Sequence, residues 1–322
     1  MAAPLPAAGE QTLDEADRAL LDLLRKLMGT GYHFVTPTPA THARVLARPE
    51  RTLARDLRDI LGWSLPFTAE LLAAELRDCL NRGGMIEERD GLLRSKLRVS
   101  ALRGDLYLHS AYPTEAEDSV FFGPDSYRFA DLIAAEFAAH PPDPRSRIAD
   151  IGGGAGVGAI IAAKLCPGAR VLATDVNPKA LRLARINAAA TGVEIETIET
   201  SGLEGVGARL DVAMLNPPYI VDDGGRDYRD GGGMHGGQAS RDLTVEAMDQ
   251  LAPGGRVILY TGSAIVEGRD ALADALEAET ARRGFRCDYR EIDPDVFGEE
   301  LVKPPYRDVE RIAVIGAIIR RS

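Results

Sequence analysis

Cysteine is scarce in this chain. Cys79, Cys166 and Cys287 are the whole supply, odd in number and far apart. They fit neither a disulfide framework nor a zinc-ligand spacing, so the expectation is lone buried thiols and no metal. No apolar run is long enough to span a bilayer. The opening stretch, MAAPLPAAGEQTLDEADRA, lacks a basic n-region and a long apolar core. That argues against a secretory signal and predicts a cytoplasmic protein with no membrane partner. An excess of positive charge is missing too. The net charge is −11, which excludes broad, non-specific attraction to nucleic acid or an anionic membrane. Residues 1–110 are close to neutral, and the acidic excess lies in the remainder. A small N-terminal module is therefore left free to carry a basic face.

What is present is length and apolar content: 322 residues, 45% of them hydrophobic, enough for two domains or one large one. Residues 1–11 are rich in Ala, Pro and Gly. Thr12 then reads as a helix N-cap, with Glu15 completing a capping box. Leu13, Ala16, Leu20, Leu24 and Leu27 follow at helical spacing, and Gly29 stops the helix. Further helices are predicted at 49–61 and 68–80, then short strands at 85–88 and 96–109 around a turn. Three helices and a hairpin resemble a winged helix. Arg44, Arg48, Arg51, Arg55 and Arg58 recur at steps of three and four, a candidate basic stripe. Glu50, Asp56 and Asp59 lie among them and Pro49 interrupts them, so a solvated helix face reads equally well.

Pro141, Pro142 and Pro144 mark a boundary. Beyond it the pattern alternates: strands at 147–151, 169–175, 193–198, 210–215 and 255–261, and helices at 156–165, 178–190, 240–251 and 266–283. Strands at 285–292 and 311–319 come last. Such alternation predicts a parallel sheet with helices on both faces. The assignment gives three segments: 1–110 as a substrate-recognition module, 111–145 as a linker and cofactor lid, and 146–322 as the sheet domain.

Two motifs carry the chemistry. Asp150 precedes Gly152, Gly153, Gly154, Gly156 and Gly158 between a strand and a helix, an arrangement that lets a ligand approach the backbone at a helix N-terminus. Asp175 ends the next strand, 19 residues past Gly156, where a carboxylate accepts hydrogen bonds from a ribose diol. A carboxylate at Asp150 would repel a pyrophosphate and suits a cationic ligand carrying an ammonium and a sulfonium, as S-adenosylmethionine does. The second motif is Asn216-Pro217-Pro218-Tyr219, at the carboxyl end of the fourth strand and so aimed at the same crevice. The Asn216 side-chain oxygen and the Pro217 carbonyl are placed to accept both N–H bonds of a planar amino group, holding its nitrogen in line for attack. Tyr219 is placed to stack on it.

These residues resemble the class I S-adenosylmethionine-dependent methyltransferases that modify amino nitrogens. Within that class the chain is most similar to the small-domain group, which includes release-factor glutamine methyltransferases and ribosomal-RNA guanine-N2 methyltransferases. The resemblance covers about 120–322. It implies an α/β fold: a Rossmann-like seven-stranded methyltransferase sheet behind a smaller, mostly helical, winged-helix-like domain. It implies that Asp150, Gly152, Gly154 and Gly156 line the methionine end and that Asp175 binds ribose. Asn216 and Pro217 would hold the amine at the cofactor, and Tyr219 would pack on it. The segment Phe121 to Tyr127 would form a lid, with Phe122 and Tyr127 against the cofactor. Where the family often has an acidic residue near the adenine, this chain has Thr200, Ser201, Gly202 and Leu203, leaving Ser201 for the adenine amino group. Seven glycines between Gly224 and Gly237, interleaved with Arg226, Tyr228, Arg229 and His235, predict a mobile loop over substrate, with His235 a candidate proton acceptor.

The reading is an S-adenosylmethionine-dependent N-methyltransferase with a macromolecular substrate. The arginine run tilts it towards ribosomal RNA or another nucleic-acid base, with a protein glutamine as the alternative. An NAD-dependent oxidoreductase and a metabolite-sensing, nucleic-acid-binding regulator are the rivals from other classes.

Overall fold

A computed structural model describes residues 13–207, 209–222 and 230–321. Helix α1 spans Glu15–Gly29 and buries Leu20, Leu23, Leu24 and Leu27 on one face. Its cap is Asp14, whose carboxylate accepts the Asp17 N–H at 2.8 Å; Thr12 lies outside the described residues. Helix α2 is Pro39–Leu46 and α3 is Leu57–Leu61, so the predicted helix at 49–61 is corrected. Thr38 caps α2, with proline in its first turn. Pro49 disfavours helical geometry at Arg48, and Asp56 starts α3 afresh by accepting the Asp59 N–H at 2.9 Å. The arginines therefore share no helix face. Arg51 and the more exposed Arg55 both pair with Asp59, and Arg51 lies over the Trp63 ring.

Helix α4, Ala74–Arg82, is shorter than predicted. Two hairpins follow where one was expected. Strands β1, Ile86–Arg89, and β2, Leu92–Ser95, make an exposed wing-like pair. Strands β3, Leu97–Leu102, and β4, Asp105–Ser110, are buried throughout. The stretch assigned to linker and lid contains helix α5, Pro124–Ala139. Pro124 stands in its first turn, where proline is tolerated.

The rest alternates as predicted: β5 Arg147–Ile151, α6 Val157–Leu165, β6 Arg170–Asp175, α7 Pro178–Thr191, β7 Glu196–Glu199, β8 Leu210–Leu215, α8 Gln238–Gln250, β9 Leu251–Val266, β10 Arg269–Asp270, α9 Ala271–Arg283, β11 Phe285–Val296 and β12 Arg311–Arg321. The main sheet runs β11-β12-β9-β8-β5-β6-β7, with the two-residue β10 paired to β9. The sheet is mixed rather than all parallel. Strand β12 lies between β9 and β11 and runs antiparallel to both.

The N-terminal module is built into the same core. One apolar cluster joins Leu20 and Leu24 of α1 to Leu108 of β4, Ile160 of α6 and Ile186 of α7. Arg182 of α7 donates to Asp17 of α1 at 2.6 Å. Fully buried Asn187 accepts the Leu108 N–H at 2.8 Å and donates to the carbonyls of Leu108 and Ala155 at 3.0 and 2.9 Å. That one amide ties the second hairpin to the turn after β5. Asn187→Ala strands these buried backbone groups and lowers unfolding free energy by about 2–4 kcal/mol. Denaturant titration checks it; a midpoint unchanged from wild type contradicts the bracing role.

Candidate functional site

Strand β5 lies between β6 and β8, with Ile151 opposite Thr174 on one side and Leu215 on the other. The residues that follow those three leave the sheet together. After Ile151 comes the glycine turn, after Thr174 comes Asp175, and after Leu215 comes Asn216. They line one cavity of about 760 Å³, with Asp150, Gly152, Gly153, Gly154, Asp175, Asn216 and Pro218 in its wall. A volume of this order suits a ligand of nucleoside size.

The glycines are needed for two reasons. Gly152 and Gly154 sit at φ +68° and +53° with open space where a side chain would go, so backbone conformation selects them. Gly158 is selected by space. A Cβ there would lie 2.6 Å from the Asp150 carboxylate.

Asp150 is 1% exposed, and its carboxylate accepts the Ala159 N–H at 2.8 Å at the start of α6. Burial pushes it up to about 7, against the lowering effect of the Ala159 N–H, and the nearby Asp175 carboxylate adds to the rise. Asp175 is also raised, by burial. It accepts the Gly154 and Asn177 N–H groups at 2.9 Å each. Each of its oxygens retains a second lone pair for a ligand hydroxyl. Two partly desolvated carboxylates in one wall form a site that prefers a cation.

Ser201 lines the cavity beside Thr200 and Gly202. Pro217 is buried behind Asn216 and Pro218 and is not part of the wall. Tyr219 is not in the wall either. It is buried, its ring lies against Gly262, where no Cβ would fit, and it meets Phe297 edge-on at 5.8 Å. The face expected to stack on substrate is turned into the protein.

Phe122 and Tyr127 are also placed away from the cavity, which corrects the lid assignment. Phe122 stacks on His109 with ring centres 4.9 Å apart, and the Tyr127 hydroxyl accepts the Thr36 N–H at 3.1 Å. Successive residues of the extended approach to α5 face opposite sides, so Phe121 enters the wall in place of Phe122. Ser126 and Phe129 of α5 join it, with Glu117 and Asp118 from the preceding segment. Asp118 is tied down by the Asn177 side chain, which donates to its carbonyl at 2.9 Å, and by Lys179. Leu243 of α8 completes the wall. Phe121 and Ser126 fall within the segment assigned as the lid, whereas Glu117, Asp118, Phe129 and Leu243 carried no sequence signal and arrive from segments far apart in the chain.

His235 does not reach the cavity. It stands 3.1 Å from Asp308 and near the Tyr306 ring. The described part of the glycine-rich stretch is packed, with Gly236 pressed against the Tyr219 carbonyl. Arg226, Tyr228 and Arg229 lie outside the described residues.

The mixed sheet with helices packed on it is a Rossmann-like α/β fold. Residues 130–280 match the methyltransferase small domain family model. The chain is 34% identical over 166 residues to the release factor glutamine methyltransferase of Deinococcus radiodurans, covering 48% of this chain and 56% of that protein. It is 31% identical over 121 residues to ribosomal RNA small subunit methyltransferase C of Pseudomonas aeruginosa, covering 37% and 33%. The solved S-adenosylmethionine-dependent methyltransferase of Agrobacterium tumefaciens aligns at TM-score 0.47 and 17% identity, over 71% of this chain and 70% of that one. The chain spans about half the length of the release factor glutamine methyltransferases it matches.

The raised Asp150 value sets a pH dependence. An acid raised on folding holds more protons in the native state, so its contribution to stability falls as pH climbs from 3.8 to about 7 and then levels off. Relative to Asp150→Asn, the wild type should lose stability across that window, as read by denaturant titration at each pH. Affinity for cationic S-adenosylmethionine should rise through about pH 7 as the carboxylate ionises, and the variant should lack that rise. A wild-type affinity that calorimetry finds flat between about pH 6 and 8 rejects the pairing.

Proposed function

We propose that this chain is an S-adenosylmethionine-dependent N-methyltransferase acting on a planar, conjugated amino group of a macromolecule. The carrying observation is that Asn216 and the glycine turn open onto one cavity rather than two. The chemistry of the wall fits the cofactor: carboxylates for an ammonium and a ribose diol, and exposed backbone for close approach. The cofactor supplies an electrophilic methyl group on a sulfonium. The chain supplies position. The Asn216 side-chain oxygen accepts an N–H bond of the target, which leaves its lone pair facing the cofactor end. No strong base is required, because the nitrogen sheds its proton after transfer. Asp150 counts against the oxidoreductase reading, since a buried carboxylate beside the turn opposes a pyrophosphate.

The tilt towards a nucleic-acid base rested on an arginine stripe. Arg51 and Arg55 are engaged by Asp59, and Glu117 and Asp118 add negative charge at the cavity. These observations favour the second substrate, a protein glutamine amide. Residues 13–110 serve in this reading as the substrate-recognition module, in a cytoplasmic protein.

Tritiated S-adenosylmethionine, mixed with a lysate of cells lacking this protein, tests both parts. Label released by protease supports the glutamine reading, and label released by nuclease returns the substrate to nucleic acid. Asn216→Ala should keep cofactor affinity and lower transfer about a hundredfold to a thousandfold. Undiminished transfer by that variant removes Asn216 from the chemistry.

A further inference from the structure

Behind the transfer motif lies a buried polar cluster that the reaction as described does not use. Asp125, in the first turn of α5, is 5% exposed and accepts the Tyr260 hydroxyl at 2.8 Å. Tyr260 stands on β9 and is fully buried. Tyr219, 7% exposed, turns its hydroxyl to the same carboxylate. That hydroxyl is sealed from solvent, yet it completes no hydrogen bond of standard geometry with any described residue. A buried hydroxyl is costly to leave unpaired, and the acceptor that would satisfy it is adjacent.

The surroundings leave the ring little freedom. Gly262 of β9 supplies the floor, since any side chain there would occupy the ring's place. Gly236 presses on the Tyr219 carbonyl from the other side. The Val221 N–H, two residues on, donates to the Tyr306 hydroxyl at 2.7 Å. The chain leaving Asn216 is thus gripped at successive points, and the Asp125 carboxylate stands beside the Tyr219 hydroxyl to make one more. Asp125 also belongs to the helix that contributes Ser126 and Phe129 to the cavity wall. A shift of that helix start on filling the cavity would move the acceptor and the wall together.

We propose that Asp125, supported by Tyr260, is a positioning residue for methyl transfer, which holds Tyr219 by its hydroxyl and so sets the Asn216–Pro218 turn against the cavity. Tyr219 then works as an anchor of the turn and not as a stacking surface for substrate. The inference rests on the methyltransferase reading above and adds to it a role for a hydroxyl that stacking would not need.

The two roles separate on Tyr219→Phe, which keeps the ring and removes only the hydroxyl. Label transfer from tritiated S-adenosylmethionine into the lysate is measured at saturating cofactor for the wild type, Tyr219→Phe, Asp125→Asn, the double variant and Asn216→Ala. Cofactor affinity is measured by calorimetry and folding by thermal melting. The anchor predicts that Tyr219→Phe and Asp125→Asn each lower the transfer rate at least tenfold, with cofactor affinity within about twofold of wild type. The double variant should be no slower than the slower single, because both changes break one bond. Wild-type transfer by Tyr219→Phe overturns the proposal, and so do multiplicative losses in the double variant. Should Asp125→Asn fail to fold, Tyr219→Phe decides alone. A wild type that binds cofactor but transfers no label to any fraction fails the underlying reading, and the proposal with it. A transfer-competent wild type, crippled by Asn216→Ala and indifferent to Tyr219→Phe, fails the anchor alone.

Discussion

The in-register pairing of β5 with its two parallel neighbours is the constraint on which the rest depends. Because Ile151 sits level with both Thr174 and Leu215, three chain segments leave the sheet side by side. Each then delivers one functional group: the glycine turn, the Asp175 carboxylate and the Asn216 amide. A slip of one residue in either pairing would turn alternate side chains to the opposite face and separate these groups. The apolar strand interiors, buried on both faces, hold that register.

Around this frame the protein places charge where burial changes its behaviour. Asp150 is desolvated yet tied to the start of α6, so the helix N-terminus partly compensates a carboxylate that the surroundings would otherwise neutralise. Asp125 is treated similarly, with burial raising it and the Tyr260 hydroxyl opposing the rise. The two acids lie on either side of the transfer site. Asp150 lines the cavity, and Asp125 stands in the first turn of α5, the helix that adds Ser126 and Phe129 to the same wall. The N-terminal module is bonded to the same frame through Asn187 and the pair of Asp17 with Arg182, so motion of that module bears directly on the turn after β5.

Much of the sheet domain was legible in the chain. The alternation of apolar runs with glycine and proline punctuation located β5, α6, β6, α7 and β8 within a few residues, because each is a buried strand or an amphipathic helix with an unambiguous period. Asp150, Asp175 and Asn216 were legible because strand-end positions in such a sheet face the crevice. The arginine run misled: a spacing of three and four residues implies one helix face only if the helix is continuous, and Pro49 divides it. Within the segment Phe121 to Tyr127, sequence carries no signal about which side of an extended stretch meets the cavity, and it is Phe121 rather than Phe122 or Tyr127 that does.

The sequence by itself determined the strand order's raw material, the glycine turn and the chemistry available at Asn216, since these rest on local conformational preference and on groups adjacent in the chain. Only the tertiary structure decided which aromatic ring lines the cavity, that Tyr219 is turned inward to Asp125, and that Arg51 and Arg55 pair with Asp59. Those outcomes are contacts between residues far apart in sequence. Their energies arise from burial and pairing that exist only once the chain has closed on itself.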